Sequence, residues 1–495
     1  MPESLKNLSP AEAWQPLPAA QWDEGAARHL LQRIGWSASP AETTRALQDG
    51  PLVTLRRYFA RMPELPKPAL IAQLEREGPD LIRRGRGGDE TQRRLAQQEA
   101  RERSREAMMD LTIKWLQLAA RPESAPAEKW LLFLQDVWVV GVEKVRNAAL
   151  IYQHQDTLRR VALTNYPQVA KAMSRSPAMI VYLDLQQSQR DAPNENFARE
   201  LFELFTLGEG HYTEADIKEA ARAFTGYRQR NGEFAFVARQ HDNSRKTVFG
   251  EQGAFTGDDV IDLVFRQKAA GTFLPREIAK FYLTDEPLPA AHLDALGAAW
   301  AKSGYDLGKL LAVFFTSRLF YAEEFRGNFI KSPLHYYLGL VQNLDLSVAP
   351  LPRQLIGALR QMGQMPFNPP NVRGWVGGKN WINSVTLATR RRVAEALLAP
   401  LNEENLNADE RLDLDAAYAE GVTNFTLADE TLAAWAALPP ADRARRLVGL
   451  CLPQAAGTTL EAKIEHHFAS TSGNPVNATR QALAALLTSP DYNLC

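Results

Sequence analysis

Asn196, Arg199, Glu200 and Glu203 recur three and four residues apart in "PNENFARELFELF", residues 193–205, the spacing that gathers side chains on one face of an α-helix. The remaining positions, Phe197, Ala198, Leu201, Phe202, Leu204 and Phe205, cover nearly half of the same cylinder, which predicts burial on more than one side. Two carboxylates one turn apart repel each other unless a cation lies between them. Arg199, four residues before Glu203, is one such cation. A divalent metal ion is another, because carboxylates at this spacing offer oxygen ligands to hard cations. The competing reading is a structural ion-pair network on a half-exposed helix.

Two further groups carry chemistry. In "HDNSRK", His241 and Asp242 suit a metal site or a base oriented by an acid, and Lys246 suits an anionic group. Asp242, Asn243 and Ser244 are equally turn formers. The irregular stretch "MPFNPPNVRGWVGGKNWINS", residues 365–384, crowds Arg373, Trp375 and Lys379 into a loop whose length suggests function, although its Trp side chains would also pack into a helical body. The expected site is therefore acidic: Glu200, Glu203, His241 and Asp242 catalytic, with Glu200, Glu203 and His241 as ligands of a divalent metal. Asn194, Asn196, Arg199, Lys246, Arg373, Trp375 and Lys379 are the expected binding residues.

The elements that must position these groups are mostly helical. Asn194 or Asn196 is placed to cap a helix running to Thr206, closed by Gly208, and Thr213 with Asp216 forms a capping-box pattern for a second helix ending near Gly226. Residues 24–48 predict two helices with Ser39 or Ser37 capping the second, and "AEKWLLFLQDVWVVGVEK", residues 127–144, predicts a central core helix. Alternation at Phe234, Phe236 and Ala238, followed by "HDNS", predicts one hairpin over 232–250. Arginines in the charged helix expected over 80–107 are interleaved with acids, as on a solvated face, behind a flexible "GRGG".

Composition narrows the class. Apolar content of 45%, charge of 23% and a net charge of -1 describe an ordinary globular chain with no global field toward nucleic acid or an anionic membrane. Two cysteines are too few for a disulfide framework or a cysteine zinc site. No long apolar run predicts a membrane span, and no basic, apolar leader is visible, so the chain as written is expected to be cytoplasmic. Neither HExxH, GxSxG nor GxGxxG occurs in a supporting context.

"RHLLQRIGW", "SRSPAMIVYLD", "NENFARELFELFTLGEGHYTEADIKEAARAFTGY", "HDNSRKTVFG" and "FNPPNVRGWVGGKNWINSVTLATRRR" follow one another in an order that resembles the bacterial domain of unknown function 1800 family over nearly the whole chain. The resemblance implies little about activity. It does suggest a partner, a sulfatase-like protein of the alkaline-phosphatase superfamily often encoded alongside, and relatives are often exported. Many relatives carry a stretch resembling "FWHNHF" where this chain reads "FLQDVW", residues 133–138, and a histidine where Phe205 stands, which argues against a histidine-rich metal site here.

The expected architecture is mainly α, one large helical domain over 21–495 after an N-terminal extension at 1–20, with a motif-bearing core at 127–395 and a C-terminal helical region at 396–495. Two functions compete. One is an enzyme, hydrolytic, with the acidic site above; the other is a non-catalytic helical scaffold or accessory protein.

Overall fold

Helical periodicity dominates the sequence, and the computed structural model, which describes residues 3–86, 89–452, 459–470 and 473–495, is mainly α with two small two-stranded sheets. The helices that matter for the site are α1 (Glu24–Ile34), α2 (Glu90–Ala120), α3 (Ala125–Val137), α4 (Asn196–Glu200, continued by a π turn over Leu201–Thr206), α5 (Glu214–Ala223), α6 (Lys268–Tyr282) and α7 (Pro333–Asn343). No helix among the described residues is long and apolar enough to cross a membrane.

One core cluster runs from Leu8 to Tyr492 and takes in most of the helices; Leu351, Leu406, Leu414 and Phe425 form a satellite. Residues expected as an N-terminal extension join the same core. Ala13 and Leu17 are buried there, Leu17 N donates to Thr316 O, and the Trp14 indole donates to His292 O. Two residues of the "GRGG" stretch, Gly87 and Gly88, lie outside the described residues, and the expected 80–107 helix is divided between Ala69–Arg86 and α2.

Helix α3 sits at the centre, as its aromatic and branched side chains require: every residue is buried except Asp136. It is shorter than the 127–144 expected. The chain leaves the helix at Trp138, runs extended through the buried Val139 and Val140 to Gly141, and makes one turn over Val142–Val145. Consecutive β-branched residues followed by glycine favour extended backbone once tertiary packing supplies partners.

Of the helix pair around the motif, α5 forms as its capping box dictates, whereas α4 opens at Glu195 without the side-chain cap expected from Asn194 or Asn196. Thr213 and Asp216 close a capping box at the start of α5, Gly208 takes φ 87° after the π turn, and Gly226 takes φ 82° after α5. The single hairpin expected over 232–250 is two: β1 (Tyr227–Arg230) with β2 (Glu233–Phe236), and β3 (Lys246–Val248) with β4 (Glu251–Gly253). Their turns are Asn231–Gly232 and Phe249–Gly250, with positive φ at both central residues as a type I′ turn demands. "HDNS" lies in the connection between the hairpins, not at a hairpin turn.

Candidate functional site

A cavity of about 550 Å³ opens between α3, the π turn, α6, the start of α7 and the loop after Met362. Its wall on α3 is Lys129, Phe133 and Asp136, four and seven residues apart and so on one face. Trp36, Trp375 and Trp381 add an aromatic lining, and Glu277, Lys280 and Asp285 bring charge from α6 and the segment after it.

Glu203 stands at this wall because of the π turn. Leu207 N and Gly208 N both bond Phe202 O, at 2.9 and 3.1 Å, and the Thr206 hydroxyl bonds Leu201 O. The widened turn takes Glu203 out of α-helical phase with Arg199, so the expected Arg199–Glu203 pair does not form. Arg199 instead grips Glu214 twice at 2.8 Å and reaches Glu195 at 3.4 Å. Glu203 accepts from Arg373 at 2.7 Å and from the Tyr212 hydroxyl at 2.8 Å, and Arg373 also bonds Glu209 at 3.0 Å. Residues 170 positions apart in sequence thus meet at the cavity mouth. Glu200 is half-buried behind them, its carboxyl raised first by burial and then by the charge of Glu203.

Asp136 is held differently. Its Oδ1 accepts from Trp375 N at 2.8 Å, and among the described residues it forms no ion pair; burial, the foremost cause, pushes its carboxyl up to about 7, against the opposing Trp375 hydrogen bond and the charge of Lys280. The glycines of the loop make this approach possible. Gly374, at φ 80°, lies so close to Asp136 that a Cβ would overlap its carboxylate, and Gly378, at φ 64°, does the same with Asp285. Lys129, deeper in the cavity and 4% exposed, is pulled down to about 7, foremost by burial. Neither Asp136 nor Lys129 stood out in the sequence. The available signal was a carboxylate and an ammonium seven residues apart, the spacing of one helix face, in a helix rich in apolar residues.

Of the residues expected from sequence to form the site, Glu203, Arg373 and Trp375 line the cavity, whereas Asn194, Asn196, Arg199, Glu200, His241, Asp242, Lys246 and Lys379 do not. Asn194 Oδ1 accepts from Asn196 N at 2.9 Å, a local turn. His241 is buried with Nδ1 3.0 Å from Thr225 O and its ring 5.2 Å from Phe236. Burial alone would raise Asp242, but Arg222 at 2.7 Å and Ser244 overcome it and hold its carboxyl well below the usual range. Lys246 donates to Asp242 O at 2.5 Å and Ser244 O at 3.1 Å. "HDNSRK" is thus a turn fastened to the end of α5. Among the described residues, no three His, Cys, Asp or Glu side chains gather closely enough to cage a metal ion.

Fold and cavity together define the class: a mainly α protein in which a glycine- and tryptophan-bearing loop closes a polar cavity onto a buried central helix. The chain belongs to the DUF1800 family of proteins of unknown function, whose family model matches residues 29–494. No curated protein and no solved structure matches it. The Phe205 ring, fully buried, lies 4.7 Å from that of Trp138.

Proposed function

We propose that the chain is an enzyme that takes a small polar molecule into this cavity and acts on it by acid–base, hydrolytic chemistry. Asp136 is the proton donor and Glu203 the ion-paired carboxylate at the same wall. The observation that carries this reading is the carboxyl of Asp136, which faces the cavity with one backbone N–H bonded to it and no ion pair among the described residues, the charge of Lys280 acting on it only at longer range. Folding gains nothing from such a group, whereas a carboxylic acid poised near neutrality is what general acid catalysis uses. Unlike surroundings for two carboxyls in one cavity are the usual means of dividing donor and acceptor roles.

The test is a panel of chromogenic esters, phosphate esters and glycosides, run with and without chelator, beside metal analysis of the purified chain. Asp136→Asn is expected to lower kcat on any substrate turned over by roughly 10²- to 10⁴-fold, the usual contribution of a positioned acid. Hydrolysis that survives Asp136→Asn undiminished would remove the assignment.

One observation favours the scaffold reading. Arg373 and Tyr212 occupy Glu203 fully, so this carboxylate also staples the loop to the π turn. In that reading the chain serves a partner, for which the family resemblance suggests a sulfatase-like protein, and Glu203→Gln changes only how firmly the loop is held.

A further inference from the structure

The deep end of the cavity holds charge that the acid–base reading does not use. Lys129 Nζ donates to Gly35 O at 2.8 Å, to Gln32 O at 3.4 Å and to His335 Nδ1 at 3.3 Å, and lies 5.1 Å from the Trp36 ring centroid. His335 Nε2 lies 3.1 Å from Trp36 O, which fixes the hydrogen on that nitrogen and leaves Nδ1 as acceptor. Two more buried cations stand close by. Arg33 bonds only the carbonyls of Tyr282, Leu283 and Phe325, and Lys331 sits 3.8 Å over the Tyr492 ring. Among the described residues, no carboxylate forms an ion pair with Lys129, Arg33 or Lys331.

Three buried cations that form no ion pair among the described residues, and are offset only at longer range by Cys495 and, for Arg33, by Asp285, are costly, and the cost falls if an anion enters or a proton leaves. Of the three, only Lys129 lines the cavity. It is joined there by the first turn of α7, an eleven-residue helix whose N-terminal partial charge faces the same space through Ser332 and His335. The Ser332 oxygen already accepts from His335 N at 3.2 Å and that of Gln364 from Leu334 N at 3.1 Å, which leaves a hydroxyl hydrogen and an amide NH₂ to donate. We infer that the deep end of the cavity is a subsite for an anionic head, a carboxylate, sulfate or phosphate carried by the substrate, held by the Ser332 hydroxyl and the Gln364 amide and balanced by the buried charge of Lys129, whose own donors stay on Gly35, Gln32 and His335. This deepens the hydrolytic reading and rests on the same cavity: the aromatic walls hold the body of the molecule, its anionic head lies inward, and the reacting bond lies toward Asp136, two turns or about 10 Å along α3.

Burial brings Lys129 down to about 7 against the opposing charge of Cys495, with the like charges of Arg33 and Lys331 adding to the lowering, so the subsite is charged in acid and empties of charge in alkali. The other titratable groups around it are His335 of α7, held neutral by burial and its cationic neighbours, Cys495, whose sulfur lies 4.0 Å from His335 Nδ1, Glu277 and Lys280 of α6, Asp285 beyond it and Asp136 of α3. Asp136 gains charge above about 7 and acts in the same direction as the loss of charge on Lys129.

The experiment is calorimetric titration of the full chain with sodium sulfate, whose own charge is constant over the range. Binding is expected at pH 6, weakening about tenfold per pH unit above 7. Lys129→Met abolishes it, and Lys129→Arg, which keeps its charge, still binds at pH 9. A second measurement on the wild type removes dependence on any variant folding: sulfate should protect Lys129 from reductive methylation, mapped by peptide mass spectrometry. Absence of binding at pH 6, affinity independent of pH, or an unprotected Lys129 would overturn the subsite. Failure of the hydrolytic reading is distinguishable, because it would appear as lost turnover assignment with sulfate binding intact.

Discussion

Glu128→Ala is expected to cost about 3–5 kcal/mol of stability, the range for stranding one partner of a buried ion pair. Glu128 is fully buried and Arg159 is 6% exposed, and their fork closes with bonds of 2.5 and 2.8 Å. The pair fastens α3 to the helix over Ala148–Val161, with Arg159 also on Pro63 O at 3.2 Å. Removing the carboxylate leaves a guanidinium in an apolar interior with only that carbonyl. Replacing both partners by apolar residues, Glu128→Leu with Arg159→Met, should recover most of the loss, since the desolvation of both charges is then avoided. Denaturant unfolding of the three proteins checks this; a single variant within about 1 kcal/mol of wild type would show that the pair does not anchor the helix.

The second large effect is on stability against pH. Asp136 has a folded pKa of about 7, above its ordinary value, so its contribution is complete below about 4 and is lost as pH rises to about 7. Lys129 has a folded pKa of about 7, below its ordinary value, so its contribution is complete above about 10 and is lost as pH falls to about 7. Lys331, brought down to about 8 by burial, adds to the alkaline limb. Taken alone, these groups contribute a dip near pH 7, each titrating group changing stability by about 1.4 kcal/mol per pH unit, while the buried His29, His154 and His335, all lowered foremost by burial, remove stability as pH falls below about 6.5. Asp136→Asn should flatten the acid limb, and Lys129→Met part of the alkaline one. Unfolding free energies from pH 4 to 10, read as differences between variant and wild type, test both limbs. A variant curve parallel to wild type throughout would contradict the corresponding shift.

Much of the local structure was legible in the sequence because its causes are local. Ser39 accepts from Glu42 N as a cap should, Pro177 opens its helix, and Thr213 with Asp216 forms the box that its spacing announces. Asn231–Gly232 carried an equally local signal, a type I′ dipeptide, that marks the first hairpin more securely than the alternation after it. The π turn was not legible, since helical periodicity treats Leu201–Thr206 as ordinary α-helix and only the Thr206 and Phe202 bonds reveal the extra residue. For the candidate site, Glu203, Arg373 and Trp375 stood out as polar or aromatic residues in crowded motifs. Asp136 and Lys129 did not, because what distinguishes them is the absence of an ion-pair partner, and a missing contact is a property of tertiary structure. The motif around His241 shows the converse, a chemically suggestive dipeptide whose groups are consumed by Thr225, Arg222 and Ser244.

The most direct measurement is a carboxyl ¹³C NMR titration of the aspartate-labelled chain, with Asp136→Asn identifying the resonance. A midpoint near 7 is the predicted result, and it places a protonated carboxylic acid in the cavity at neutral pH. A midpoint near 4, the ordinary aspartate value, would mean that Asp136 is ionised at neutral pH, and the cavity would then lack its proton donor.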